Sequence, residues 1–124
     1  MENSNYRYER KYRVEEISYA ELINIIYYSP FLFREIYSQR TVNNIYMDNF
    51  DLRNYFDNVD GYSKRCKIRI RWYGNDNNKI HAPQLEFKIK RGYVGIKKIF
   101  PLKSFRFDKG FSRDCLMEVF KKST

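Results

Sequence analysis

The chain has 124 residues, a net charge of +9 and a pI near 9.6, and 43% of its residues are hydrophobic. That length predicts at most one domain, the polar start Met-Glu-Asn-Ser-Asn predicts no secretory leader, and no apolar run approaches the 18 residues of a membrane span. The surplus of Lys and Arg calls for anionic partners without choosing among nucleic acid, phosphate polymers and acidic membranes.

Residues 6 to 14 read as a first strand, with Arg7, Glu9 and Lys11 on one face and Tyr8, Arg10 and Tyr12 on the other. Ser18 and Glu21 form a capping-box pattern opening a helix to about Tyr28, with Leu22, Ile25 and Ile26 on its buried side. Ser29-Pro30 predicts a second short helix whose Phe31, Phe33 and Tyr37 enter the core. Residues 41 to 48 predict a strand and 52 to 59 a short helix, capped by Asp48.

The strand expected over 64 to 73 carries the strongest pattern. Arg65, Lys67, Arg69 and Arg71 alternate with Cys66, Ile68, Ile70 and Trp72, so one face is cationic and the other packs. Like charges lined up on one face repel unless an anion with several charges lies across them. A polyphosphate or nucleic-acid backbone fits that description, and a solvated strand face is the alternative. Tyr73, at the loop end of the ionic face, is the candidate for stacking on a nucleobase, while Trp72 falls on the packing face.

Gly74 to Asn78 predicts a loop. Strands 84 to 91 and 94 to 100 follow, joined at Gly92, with Gly95 as a candidate bulge. Glu86, Lys88 and Lys90 share one face of the first of these, opposite Leu85, Phe87 and Ile89. Ser112 caps a closing helix over 113 to 122 that carries Leu116, Met117, Val119 and Phe120. About five strands result, so open edges are expected unless a continuation or a second copy covers them. Cys66, on a packing face, predicts a buried free thiol and a reducing, cytoplasmic setting. Glycine-rich phosphate loops and zinc-type Cys/His spacing are absent, and His81 has no partner nearby in sequence.

Four motifs in order carry a family resemblance: Glu9-Arg10-Lys11-Tyr12, Asn44-Ile45-Tyr46-Met47-Asp48-Asn49, Lys67 to Gly74, and Leu85-Glu86-Phe87-Lys88. Together they resemble the VTC domain over roughly residues 6 to 103. This is the polyphosphate polymerase branch of the triphosphate tunnel superfamily, which also holds CYTH-type triphosphatases. The resemblance implies an α+β fold built on an antiparallel β tunnel or barrel, here incomplete. It implies binding of ATP, triphosphate and polyphosphate, transfer of the terminal phosphoryl of ATP to a polyphosphate chain, and a Mn2+ or Mg2+ cofactor. No specific nucleic acid is expected.

By the same resemblance, Lys11, Arg69, Arg71 and Lys88 are the catalytic positions, and Arg7, Arg65, Lys67 and Lys97 bind phosphate. Arginine suits this work because its planar fork grips two phosphate oxygens and stays charged. Glu9 and Glu86 are expected either to hold the metal or to separate cations by salt bridges. Ile99 stands where the family has an Arg two residues after Lys97, and the family tunnel draws on further strands. The chain taken alone is therefore expected to be inactive unless the missing half comes from a continuation or a dimer. The alternatives are a non-catalytic polyanion-binding module and a CYTH-like triphosphatase, the latter disfavoured by Arg7 in place of a second glutamate.

Overall fold

The computed structural model describes residues 7, 8 and 10–124, with side chains from Arg10 onward. It is an α+β structure of five strands and three helices: β1 (Arg7–Tyr8), α1 (Tyr19–Tyr27), β2 (Val42–Met47), α2 (Arg53–Val59), β3 (Lys64–Tyr73), β4 (Gln84–Arg91), β5 (Val94–Pro101) and α3 (Arg113–Ser123). The strands form one antiparallel sheet in the order β1-β5-β4-β3-β2. Two compact units make up the chain: Arg40–Thr124 together with β1, and Arg10–Gln39.

The sheet is open. β1 and β2 form its two edges, so among the described residues it does not close into the expected tunnel or barrel. Its centre matches the alternation in the sequence. β3 pairs with β4 from Lys64 opposite Arg91 to Arg71 opposite Gln84 without interruption. β4 turns into β5 through Gly92, whose φ of +61° is a left-handed conformation that favours glycine. Gly95 pairs with Lys90 inside an unbroken ladder, so the expected bulge is not there. At the opposite end Gly74 N–H donates to the Thr41 carbonyl at 3.1 Å, and the Asn43 side chain donates to the Gly74 carbonyl at 2.7 Å.

Among the described residues the first strand is Arg7–Tyr8, and residues 10 to 14 of the expected strand do not join it. Arg7 pairs with Gly95 and Tyr8 with Val94, and Val94 is where β5 begins. Residues 10 to 14 are described and lie outside any strand.

One face of the sheet holds the core. Ile70, Trp72, Ile80, Phe105 and Val119 are buried together, with Ile45, Leu85, Phe111, Leu116 and Phe120 packed around them. Val119, Leu116 and Phe120 come from α3, which starts where the Ser112 hydroxyl accepts the Cys115 N–H. The Trp72 ring meets Phe105 and Phe107 at centroid distances of 6.0 and 5.8 Å. Burying one large aliphatic or aromatic side chain contributes about 1.5–3 kcal/mol. This small cluster is thus what commits β3 to facing its cations the other way. Cys66 is free and half-buried, and burial pushes its thiol pKa up.

α2 begins beneath Asp48, as expected. The Asp48 carboxylate accepts N–H bonds from Asn49, Asn54 and Tyr55 at 2.9, 3.0 and 2.8 Å. Desolvation pushes its pKa up, but these three bonds outweigh it and hold the carboxyl below its usual range. Leu52, with φ of +51°, turns the chain into the helix.

In the unit Arg10–Gln39, α1 carries the predicted capping box: Ser18 N–H donates to Glu21 Oε2 at 2.6 Å and Glu21 N–H to Ser18 Oγ at 3.3 Å. Its predicted buried side is not buried, since Leu22 is half-buried while Ile25 and Ile26 are exposed. The second helix does not form. Leu32 N–H closes a turn on the Ser29 carbonyl and Leu32 itself takes φ of +53°, which a continuing helix does not tolerate. Phe31, Phe33 and Tyr37 are exposed instead of entering a core. Among the described residues no helix is long and apolar enough to cross a membrane.

Candidate functional site

The face of the sheet opposite the core is a grid of ionic side chains, set by register. One cross-strand row is Tyr46, Arg69, Glu86 and Ile99; the next is Asn44, Arg71, Gln84 and Pro101. On the other side of the first row come Lys67, Lys88 and Lys97, one from each of β3, β4 and β5, and then Arg65 beside Lys90. These three lysines stand side by side on neighbouring strands about 4.8 Å apart, and Lys97 is paired with Glu86 from the first row.

Glu86 is the anion at the centre. It is 2% exposed, the one charged residue fully buried among those described. Arg69 grips its Oε2 twice, through Nε at 2.7 Å and a terminal nitrogen at 2.6 Å, while Lys97 Nζ lies 2.7 Å from Oε1. Arg71 Nε is 4.0 Å from Oε2 and donates to Asn44 Oδ1 at 3.1 Å. Desolvation pushes the Glu86 pKa up, but hydrogen bonds and charge from Lys97 and Arg69 overcome this and hold it below its usual value. For Arg69, burial works against the charge, yet Tyr46 and Glu86 raise its pKa still further, so it stays cationic.

The structure thus brings Arg65, Lys67, Arg69, Arg71, Glu86, Lys88 and Lys97 onto one face. Lys11 is exposed and lies in the unit Arg10–Gln39, outside the strand expected to carry it. Arg7 is placed by its backbone pairing with Gly95. Glu9 lies outside the described residues. Tyr73 is on the rim, but its ring is covered by the Arg40 guanidinium at 3.9 Å from the centroid, so a base would have to displace Arg40 to stack there. His81 sits exposed in a loop.

Two side chains of this face, both within the motif of residues 44 to 49, were not among the expected site residues. Asn44 holds Arg71, and the Tyr46 hydroxyl accepts a hydrogen bond from Arg69 at 3.4 Å. That bond, with the nearby charges of Arg69, Lys67 and Arg71, lowers the Tyr46 pKa against an opposing desolvation effect. The available signal was the spacing of two between Asn44 and Tyr46, which fits the ionic face of β3.

A family model described as the VTC domain matches residues 6–116, most of the chain. The chain belongs to the VTC domain family. No curated protein and no solved structure matches it. Membership of the VTC domain family points to a polyphosphate-related role for the chain.

The described rows of this VTC domain's ionic face do not by themselves suit a divalent cation. Glu86 is the one carboxylate in its described rows, with both oxygens engaged by cationic side chains. No group of three His, Cys, Asp or Glu side chains is close enough to hold a metal ion among the described residues. Magnesium and manganese sites ordinarily need several oxygen ligands and little competing positive charge.

Proposed function

We propose that this VTC domain binds a linear phosphate chain across β3, β4 and β5, and that within a closed tunnel it extends polyphosphate from ATP. In that reaction a terminal oxygen of the chain attacks the γ-phosphorus of ATP. The bond from that phosphorus to the bridging oxygen breaks, and ADP leaves with the electron pair. Such transfer asks the protein for positioning and charge neutralisation more than for a nucleophile.

The observation that carries this reading is the lysine row Lys67, Lys88 and Lys97 lying beside Arg69 and Arg71 on one face. Arg71, Lys67 and Lys88 are assigned to grip phosphate, with Arg65 extending the track. The magnesium or manganese expected for the transfer is assigned to the phosphate oxygens of the nucleotide rather than to Glu86. A continuation of the chain or a second copy supplies the rest of the tunnel wall. A cytoplasmic location, with ATP at hand and two free cysteines, belongs to the same reading.

The open sheet favours a second reading, in which the chain binds polyanions without catalysis. Competition separates them: polyphosphate labelled at one end is bound and then challenged with short duplex DNA at equal phosphate concentration. Retention of polyphosphate supports the tunnel reading, and displacement by DNA favours the general polyanion module. Free phosphate released from tripolyphosphate with magnesium or manganese would instead identify a triphosphatase.

A further inference from the structure

Resting on the reading that this face holds a phosphate chain, we infer that Glu86 is an internal counter-ion and not a cation ligand. The phosphate chain is then taken up without a bridging metal, and Arg71 is the arginine that grips it.

The two arginines of β3 are bound differently. Arg69 spends its Nε and one terminal nitrogen on Glu86 and the other terminal nitrogen on Tyr46. A guanidinium has five N–H donors, and three of Arg69's are therefore committed inside the protein. Arg71 commits only its Nε, to Asn44 at 3.1 Å, and its two terminal nitrogens have no partner among the described residues. Its side chain is 21% exposed, enough for these nitrogens to meet a ligand from solvent. Four aligned donors on a side chain that Asn44 already orients match the paired oxygens of a phosphate group.

The charge balance around Glu86 points the same way. Arg69, Arg71 and Lys97 set three positive charges against one carboxylate, a local excess of +2. A divalent cation at Glu86 would raise that excess and would have to displace Arg69 or Lys97 to reach an oxygen. A phosphate chain lowers it. Glu86 also opposes the incoming phosphates, so it holds the face together at the expense of affinity. Neutralising it should therefore destabilise the fold while tightening anion binding.

The test uses the full 124-residue chain, tripolyphosphate as the probe and thermal unfolding as a parallel readout. Binding in EDTA equal within twofold to binding in manganese is expected for the wild type. Arg71→Ala should weaken tripolyphosphate at least tenfold with an unchanged melting temperature. Glu86→Gln should melt lower than the wild type, bind several-fold tighter, and gain a larger melting shift from tripolyphosphate. Manganese chloride alone should leave the wild-type melting temperature unchanged. The inference is overturned if tripolyphosphate binding requires manganese, or if manganese alone stabilises the wild type. Normal affinity in Arg71→Ala overturns the assignment of the grip, and this arm stands even if Glu86→Gln fails to fold. Absence of tripolyphosphate binding under both metal conditions overturns the phosphate-chain reading itself, and this inference with it.

Discussion

Arg69 and Glu86 stand directly opposite each other in the β3–β4 ladder and are joined by two contacts to one oxygen, at 2.6 and 2.7 Å. The carboxylate is almost completely buried, so its charge is stabilised by these neighbours and hardly at all by water. The pair lies between the Lys67, Lys88 and Lys97 row and Arg71, and so separates charges that would otherwise face one another. The same pair therefore governs folding and the field that a ligand meets.

Arg69→Ala should destabilise the protein by about 2–3 kcal/mol, the scale of a charge-assisted hydrogen bond lost from a buried acceptor. Lys97 remains on the other oxygen of Glu86 and keeps the loss from being larger. Arg65→Ala, which removes a 3.2 Å bond to the Tyr62 carbonyl, should change stability by about 0.5 kcal/mol or less. Urea denaturation of both variants checks the difference, and equal losses would show that Glu86 does not depend on Arg69.

Acid should unfold the protein partly through Glu86. Its folded pKa is depressed below the ordinary value of 4.5. A depressed carboxyl contributes stability that is complete above the unfolded pKa and disappears as pH falls through the lower folded one. Stability should thus decline as pH drops below about 4.5, where a free glutamate starts to bind protons. Glu86→Gln should start less stable at neutral pH and lose less on acidification. Asp48 is also held low by its three N–H donors, so some acid sensitivity should persist in that variant. Melting temperatures from pH 7 to 3 decide this, and parallel curves for the two proteins would remove Glu86 as the cause.

The extent to which this arrangement was legible follows from where the chain had a partner to satisfy. The expected 64 to 73 and 84 to 91 match β3 and β4 because long period-two alternation and turn residues fixed both ends. β1 takes in only Arg7 and Tyr8 among the described residues, and its partner is β5, which no local pattern in residues 6 to 14 records. The helix at Pro30 failed because Leu32 adopts a left-handed conformation, and propensity alone ignores that. Four cations on one face could be read from β3, but their division of labour could not. Only the register sets Glu86 beside Arg69 and Asn44 beside Arg71.

Ile99→Arg should strengthen phosphate binding. Ile99 pairs with Glu86 across β4 and β5, lies in the ionic row and is 46% exposed. An arginine there restores the basic pattern of the family and reaches the ligand from the third strand. One partly exposed charge contact contributes about 1 kcal/mol or less, roughly fivefold in affinity at most. The gain should shrink as salt is raised, because exposed charges are screened. Titration of tripolyphosphate at low and high salt measures it, and an unchanged affinity would place the bound chain away from β5.

The 124-residue chain by itself should make no polyphosphate from ATP. Stabilising a transferring phosphoryl group needs fixed cations around it in a site shielded from water. The described sheet offers one wall, with Arg69 and Arg71 about a fifth exposed and Lys97 a third exposed. Between deep burial and bulk water the strength of a charge contact falls several-fold. Ile99 leaves a gap in the row where the family carries an arginine. Binding should therefore be measurable, steeply salt-dependent and unproductive. Incubation with ATP and manganese, followed by gel detection of polyphosphate, checks this. Chain synthesis that disappears in Arg71→Ala would overturn it and imply that copies of the chain close the tunnel on one another, a state that sedimentation would then reveal.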